Sequence, residues 1–170
     1  MREVYPHLFV GAQPACRPGT VGQPIVHACK SPCHQSAVGY TGSLPRDHPS
    51  YLAHADEHNL WLNLIDPHIP LFQPDSFTKF LAFAAPRFDA LCLQSGHSLL
   101  VHCNQGGSRS PSLALLLLAR HLRVIPDESY VAARAAYLQL DTAYQPGQGI
   151  ARFLAEQWPA LACPCPRCRS

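Results

Sequence analysis

The sequence predicts an α/β fold in which a small central sheet, mostly parallel, is flanked by helices. Short apolar runs that are typical of strands occur in the first two thirds of the chain. Segments with three- and four-residue apolar spacing alternate with them and dominate the second half. A strand-like run, a glycine-bearing turn and a helix start follow one another near residue 103. These observations favour a sandwich with an anion-binding loop between a strand and a helix.

The first elements are short. Residues 4–10 and 24–28 have the composition of strands, and the Gly- and Pro-rich residues 11–22 between them predict a loop. Residues 29–57 are irregular and rich in Pro, Gly, Ser and His, so we expect mostly loop there. Residues 59–65 resume strand character and end at Asp66.

Helices dominate the remainder. Apolar residues at helical spacing predict a helix from about Ser76, which Pro86 should kink or split. Residues 98–102 then form a nearly continuous apolar run, as a buried strand does. We expect the next helix to open at Ser110, with Ser110 as its N-cap, and to reach about His121. Two further helices are expected, one from Pro126 and one over residues 148–157.

Composition limits the possible functions. The chain has 170 residues, which favours one domain, and its 47% hydrophobic content excludes a wholly disordered protein. Only 14% of residues are charged and the net charge is +2, so we expect neither nucleic acid nor a membrane as a partner. No apolar segment follows the first residues, and we therefore expect a cytoplasmic protein.

The loop after the buried strand carries the chemistry. Cys103 ends the strand, and five residues separate it from Arg109 at the start of a helix. A loop of this length can wrap its backbone N–H groups around an oxyanion, and Gly106 and Gly107 allow the close approach that this needs. Arg109 offers two donors to phosphate oxygens. The positive electrostatic field of these N–H groups and of Arg109 would also hold Cys103 as a thiolate. A thiolate at an anion-binding loop predicts phosphoryl transfer to sulfur.

The pattern His-Cys-x5-Arg-Ser over residues 102–110 resembles the signature of the protein tyrosine phosphatase superfamily, in particular its dual-specificity branch. The resemblance implies that Cys103 is the nucleophile that forms a phosphocysteine and that Arg109 clamps the phosphate. Ser110 would stabilise the departing thiolate, and His102 would be a buried structural support. The loop residues expected to bind phosphate are Asn104, Gln105, Gly106, Gly107, Ser108 and Arg109. Residues 5–11 and 145–148 are also similar to stretches of these phosphatases.

A general acid must protonate the leaving oxygen, because that oxygen departs poorly as an anion. Two aspartates are candidates. Asp66 ends the third strand, where it could lie over the anion-binding loop, whereas helix capping fully explains Asp75. We therefore favour Asp66 and keep Asp75 as the alternative.

The eight cysteines do not predict a disulfide framework, because no export signal is present and the thiols should stay reduced. His27, Cys29, Cys33 and His34 are of the types that bind zinc, but we expect an ordinary loop there. The tail holds three thiols, at Cys163, Cys165 and Cys168, where a closed metal site needs four ligands. We expect an unstructured tail, no metal and no cofactor. One cysteine, which the sequence does not identify, could also resolve an oxidised Cys103.

Taken together, the sequence predicts a single cysteine-phosphatase domain over residues 1–158 and a Cys- and Pro-rich tail over residues 159–170. The expected activity is metal-independent hydrolysis of phosphomonoesters, with a phosphorylated protein or peptide as substrate. One alternative is a non-protein substrate such as a phosphoinositide, a nucleotide or an RNA 5′ end. Another is a phospho-residue binding module with little turnover.

Overall fold

A computed structural model of the chain describes residues 1–13, 22–92 and 96–168. The strands found within these ranges are β1 (Arg2–Tyr5), β2 (Leu8–Ala12), β3 (Ile25–His27), β4 (Ala53–Ala55), β5 (Asn59–Leu62) and β6 (Leu99–Cys103). They form one sheet in the order β1-β2-β6-β3-β5-β4. The four central strands are parallel to one another, and β1 and β4 pair antiparallel at the edges. The predicted fold class, an α/β protein with a mostly parallel sheet, is confirmed.

The helices are α1 (Gln35–Val38), α2 (Pro74–Arg87), α3 (Arg109–Leu117), α4 (Tyr130–Leu140) and α5 (Gln148–Gln157). Wider π-helical turns cover Lys30–His34, Phe88–Cys92 and Leu118–Leu122, and 3₁₀ turns cover Trp158–Ala160 and Pro166–Cys168. Helix α3 packs on β6 and β2, α2 packs on β5 and α3, and α4 packs on α3. Throughout the described ranges, every helix is too short or too polar to cross a bilayer.

The core is densest around β6 and α3. All five residues of β6 are buried, and so are all nine residues of α3. Aromatic side chains extend this core toward α5, where the rings of Phe77 and Phe153 stack with centroids 4.8 Å apart. The strand and the helix on either side of the anion-binding loop are therefore held on all sides, which fixes the position of the loop between them.

Several predicted boundaries were wrong. Residues 4–10 form two strands, because the chain turns at His7, whose φ is +65°. Residues 29–57 are mostly loop, as expected, although they also contain a π-helical turn, α1 and β4. The third predicted strand ends at Leu62 instead of residue 65. Of the predicted loop over residues 11–22, residues 14–21 lie outside the described ranges.

The helix starts also differ from the prediction. Helix α3 begins at Arg109 with Ser108 as its N-cap, because the Ser110 hydroxyl faces Cys103 instead of capping the helix. Helix α4 begins at Tyr130, since the Ser129 side chain accepts the N–H of Ala132 and caps it there. Pro86 does not split α2, whose last residue follows it, although the chain then widens into a π-helical turn.

The expectation that the thiols are all reduced is wrong for one pair. A disulfide joins Cys29 to Cys33, because the π-helical turn between them brings their Cα atoms to 5.7 Å. The zinc alternative at this segment is therefore also excluded. His34 bonds instead to the Tyr40 hydroxyl and to the Ser50 carbonyl.

The burial of α3 predicts where the fold is most sensitive. Leu116 in α3 is 0% exposed, and Leu116→Ala should lower the free energy of unfolding by about 2–5 kcal/mol through the cavity it leaves. Leu140 at the end of α4 is 44% exposed, and Leu140→Ala should change the free energy of unfolding by less than about 0.5 kcal/mol. Urea denaturation measures both values, and equal losses would contradict the assigned core.

Candidate active site

Cys103 lies at the end of β6, at the floor of the loop that leads into α3. Its Sγ accepts a hydrogen bond from the Gly106 N–H at 3.2 Å and another from the Ser110 hydroxyl at 3.3 Å. The residue is 2% exposed. A sulfur in this position is surrounded by donors, and hydrogen bonds from such donors stabilise a thiolate.

The balance of these effects lowers the pKa of Cys103. Burial opposes ionisation and would raise the pKa of the thiol. Hydrogen bonds from the Ser110 hydroxyl and from the N–H groups of Ser110 and Gly106, together with the charge of Arg109, outweigh burial. The pKa of the Cys103 thiol therefore lies below its ordinary value, as the sequence predicts for a nucleophile in this loop.

Gly106 is the residue on which the shape of the loop depends. Its φ is +74°, and a Cβ at this position would lie 2.9 Å from the backbone N of Ala12 and 2.9 Å from the carbonyl carbon of Gly11. Any other residue would both strain the backbone and collide with β2. The absence of a side chain lets the loop close over Cys103 so that the Gly106 N–H reaches the sulfur.

Arg109, the first residue of α3, is 8% exposed and held in place by its own hydrogen bonds. Its Nη1 donates to the carbonyls of Ala28 at 3.2 Å and Leu64 at 2.9 Å, and its Nη2 donates to Asn104 Oδ1 at 2.7 Å. Its Nε is buried and has no hydrogen-bond partner among the described residues. An unpartnered buried N–H on a fixed guanidinium is a donor available to an oxyanion.

The rest of the loop is tied to two distant segments. The Asn104 amide donates to the Ser31 carbonyl at 2.9 Å, next to the disulfide segment. The Ser108 hydroxyl accepts the N–H of Gly147 at 2.9 Å, and the Gly107 carbonyl accepts the N–H of Gln145 at 2.8 Å. The Gln105 side chain is exposed, so only its backbone is suited to hold an anion. The phosphate-binding role of these residues stays a prediction.

Of the two candidate acids, Asp66 is the one that lies at the site. Its Oδ2 is 3.9 Å from Arg109 Nε, and its side chain is about one quarter exposed, at 26%. The segment after it packs against the first turn of α5, where a Cβ on Gly149 would collide with the carbonyl oxygens of Pro67 and Ile69. Asp75, in contrast, is exposed in the first turn of α2.

His102 is fully buried and bonds through Nε2 to His27 Nδ1 at 2.7 Å. His27 Nε2 lies 3.2 Å from Asn59 Oδ1, and its ring stacks on Trp61. Burial, followed by the proximity of His27, lowers the pKa of His102 to about 4, so its ring is neutral at physiological pH. This chain of contacts across the sheet fits the structural support that the sequence predicts for His102.

Sequence reasoning missed one contact of the loop. Arg2 donates to both carboxylate oxygens of the buried Asp141, at 2.6 and 2.7 Å, and to the Gly106 carbonyl at 2.8 Å. The hydrogen bond to Asp141 raises the pKa of Arg2. These residues are 139 positions apart, and neither stands in a motif. No signal in a single sequence could have paired them.

A cavity of about 230 Å³ opens beside the loop and is lined by Lys30, Ser31, Leu64, Ile65, Asp66, Asn104 and Arg109. A second cavity of about 190 Å³ adjoins it and shares Lys30, Leu64 and Ile65. The guanidinium and the carboxylate that we single out therefore face the same open space. Its volume suits a small group presented by a larger molecule.

Comparison with known proteins supports this fold. The chain is similar to the crystal structure of human tyrosine phosphatase-like serine/threonine/tyrosine-interacting protein, at 18% identity over 94% of this chain and 95% of that one, with a TM-score of 0.58. It is also similar to human DUSP28, at 20% identity over 94% and 93%, with a TM-score of 0.57. The crystal structure of PTPMT1 in complex with PI(5)P matches at 15% identity over 94% and 95%, with a TM-score of 0.60. No protein-family model and no curated protein matches the sequence.

The donors around Cys103 predict how its reactivity depends on pH. The rate of alkylation of Cys103 by iodoacetate should rise with pH, because only the thiolate reacts. The midpoint of this rise should lie at a lower pH than for an ordinary thiol. Ser110→Ala removes a donor that lowers the pKa of Cys103, so the midpoint should move to higher pH. Ser112→Ala, two residues further along α3, is the matched control and should leave it unchanged. Coincident profiles for Ser110→Ala and the native chain would contradict the assigned hydrogen bond.

Proposed function

We propose that this chain, which has the fold of the dual-specificity and tyrosine phosphatases, hydrolyses phosphomonoesters through Cys103. The observation that carries the proposal is the arrangement of donors around the sulfur. The thiol receives hydrogen bonds from Gly106 and Ser110, and the nearby Arg109 has a buried Nε that makes no hydrogen bond to the described residues. A nucleophile at the floor of an anion-binding loop is suited to attack phosphorus.

In the first step, the Cys103 thiolate attacks phosphorus and the bond from phosphorus to the leaving oxygen breaks. Asp66 in its acid form gives its proton to that oxygen. Arg109 and the loop N–H groups stabilise the charge that develops on the other three phosphate oxygens. The products of this step are the free alcohol or phenol and a phosphocysteine.

In the second step, water attacks the phosphocysteine and the bond from sulfur to phosphorus breaks. Asp66, now a carboxylate, takes the proton from the attacking water. The Ser110 hydroxyl stabilises the thiolate as it departs, since its hydrogen bond favours the charged sulfur. Both steps use side chains and backbone of this chain alone, so the proposed reaction is metal-independent.

The surroundings of the cavity favour a phosphorylated protein or peptide as substrate. The loop between Cys103 and Arg109 contributes no cation that could bind additional phosphates. Large apolar side chains are exposed on the segment that carries Asp66, namely Ile65, Ile69 and Leu71. Such side chains can pack against the apolar part of a phosphotyrosine or against its neighbours in a peptide.

A phosphoinositide is the second candidate, because Lys30 lines the same cavity as Arg109. Its Nζ now donates to the Ser43 hydroxyl at 3.3 Å on the exposed side. A single ammonium group there could bind one further phosphate of a headgroup. PTPMT1, whose structure contains PI(5)P, shows that this fold accommodates such a lipid.

A substrate panel tests the proposal. Phosphotyrosine, phosphoserine and phosphothreonine peptides, soluble phosphoinositides and a nucleotide are assayed with the native chain, and the peptides should be hydrolysed fastest. Cys103→Ser should abolish turnover while peptide binding persists, and Arg109→Lys should lower kcat/KM roughly 10²–10³-fold. Turnover only on the lipids, reduced by Lys30→Gln, would replace the first candidate with the second. Binding without turnover in the native chain would indicate a binding module.

The assignment of the acid predicts a difference between two conservative variants. Asp66→Asn should lower kcat roughly 10²–10⁴-fold for alkyl phosphates, whose leaving groups need a proton, and far less for an activated aryl phosphate. Asp75→Asn should leave kcat unchanged and lower the free energy of unfolding by about 0.3–1 kcal/mol, because it removes a charge from the N-terminus of α2. The reverse pattern would move the acid to Asp75.

A further inference from the structure

Four side chains that take no part in the proposed reaction meet at the far end of α3. His121 lies in the π-helical turn after α3, and Cys163, Cys165 and Cys168 come from the tail. The His121 Nδ1 atom is 3.7 Å from Cys163 Sγ, 3.4 Å from Cys165 Sγ and 3.4 Å from Cys168 Sγ. All four donor atoms lie within 4.8 Å of one another.

These separations are close to those of a tetrahedral zinc site. With Zn–S bonds of about 2.3 Å and a Zn–N bond of about 2.0–2.1 Å, tetrahedral angles place sulfur about 3.6 Å from nitrogen and about 3.8 Å from sulfur. The three observed S···N distances, from 3.4 to 3.7 Å, agree with this value. Cys165 Sγ lies 3.2 Å from Cys163 Sγ and 3.0 Å from Cys168 Sγ, so each of these two separations needs to widen by less than 1 Å.

The histidine is oriented for a metal by a carboxylate behind it. His121 is buried, and its Nε2 lies 3.0 Å from Asp89 Oδ1, on the opposite side of the ring from the thiols. A proton on Nε2 that is donated to Asp89 leaves the lone pair of Nδ1 directed at the three sulfurs. This arrangement of carboxylate, histidine and metal is common around zinc ligands, because it fixes both the tautomer and the ring.

From this cluster we propose a structural zinc site formed by His121, Cys163, Cys165 and Cys168. On binding, the three thiols release three protons to solvent, and the neutral imidazole coordinates through Nδ1 without losing one. One Zn²⁺ and three thiolates give the site a net charge of −1. Three sulfurs and one nitrogen fill a tetrahedral shell and match the preference of zinc for these donors.

The site is structural because its shell is closed and because it is remote from Cys103. Arg109 and His121 are twelve residues apart along α3 and its continuation, which corresponds to about 18 Å at 1.5 Å per residue. The metal would fasten the tail to the ends of α2 and α3. Cys163 is 5% exposed and Leu161 is 0% exposed, so the described part of the tail packs on the body, contrary to the unstructured end that we expected.

Sequence analysis expected no metal because the tail alone offers three ligands. The fourth, His121, stands 42 residues before Cys163. A disulfide between these cysteines fits the structure less well. The sulfur separations of 3.0 and 3.2 Å exceed the roughly 2.05 Å of a disulfide. A second group of donors, His27, Cys33 and His102, does not provide an equivalent site, since Cys33 is already bonded to Cys29.

Metal analysis of the purified chain tests the proposal. The native chain is purified with zinc and dialysed against zinc-free buffer. It should retain about one zinc per chain, as measured by elemental mass spectrometry. Cys165→Ser and His121→Ala should each lose it, while Cys103→Ser is the matched control and should keep it. Cobalt substituted for zinc should give the intense visible absorption of a tetrahedral thiolate site in the native chain and in Cys103→Ser.

Two further variants keep the test valid if Cys165→Ser and His121→Ala do not fold. Cys168→His keeps four ligands of suitable type and should retain zinc, and Asp89→Asn should weaken zinc affinity roughly 10–100-fold. A native chain without zinc, or one whose zinc is removed by dialysis, would overturn the proposal. Zinc that persists in both Cys165→Ser and His121→Ala would overturn it as well. None of these measurements depends on phosphatase activity. A chain that holds zinc but has no phosphatase activity would therefore contradict the proposed function and leave the zinc site supported.

Discussion

The arrangement around Cys103 depends on holding negative charge inside the protein with very little positive charge. A buried anion is costly unless donors are already directed at it. Here the donors are two backbone N–H groups and one hydroxyl, and the positive charge of Arg109 acts in the same direction. They can remain in position only if the strand before them and the helix after them do not move, and every residue of β6 and α3 is buried.

Contacts from elsewhere in the chain supply the rest of that rigidity. Arg2 from the edge strand β1 connects the loop to Asp141. Asn104, within the loop, connects it to Ser31. Each of these contacts uses a group that cannot move far, either a backbone carbonyl or a buried carboxylate. The loop is therefore a product of the whole fold, because the segments that hold it are distant in sequence and meet only once the sheet and helices are packed.

Local patterns made the fold class and the loop between Cys103 and Arg109 predictable, whereas they did not reveal the long-range pairing. The apolar runs located β6 and α5, and the spacing of Cys103 and Arg109 located the loop. The error at the start of α3 arose because Ser110 is an excellent capping residue by type, whereas its hydroxyl faces the sulfur of Cys103, the partner that the resemblance implies, and so does not cap the helix. The sequence pattern also gave no sign of the role of His121, because the three cysteines that surround it lie in a different part of the chain.

The glycine at the second position of α5 has a consequence for motion. The carbonyls of Pro67 and Ile69 approach Gly149 so closely that a methyl group would not fit between them. The segment that carries Asp66 therefore rests against a helix that is anchored in the core through Phe153 and Leu154. A swing of this segment away from Arg109 would have to break that backbone contact. The close packing at Gly149 thus holds the Asp66 carboxylate in place beside Arg109, without a loop closure to bring it there.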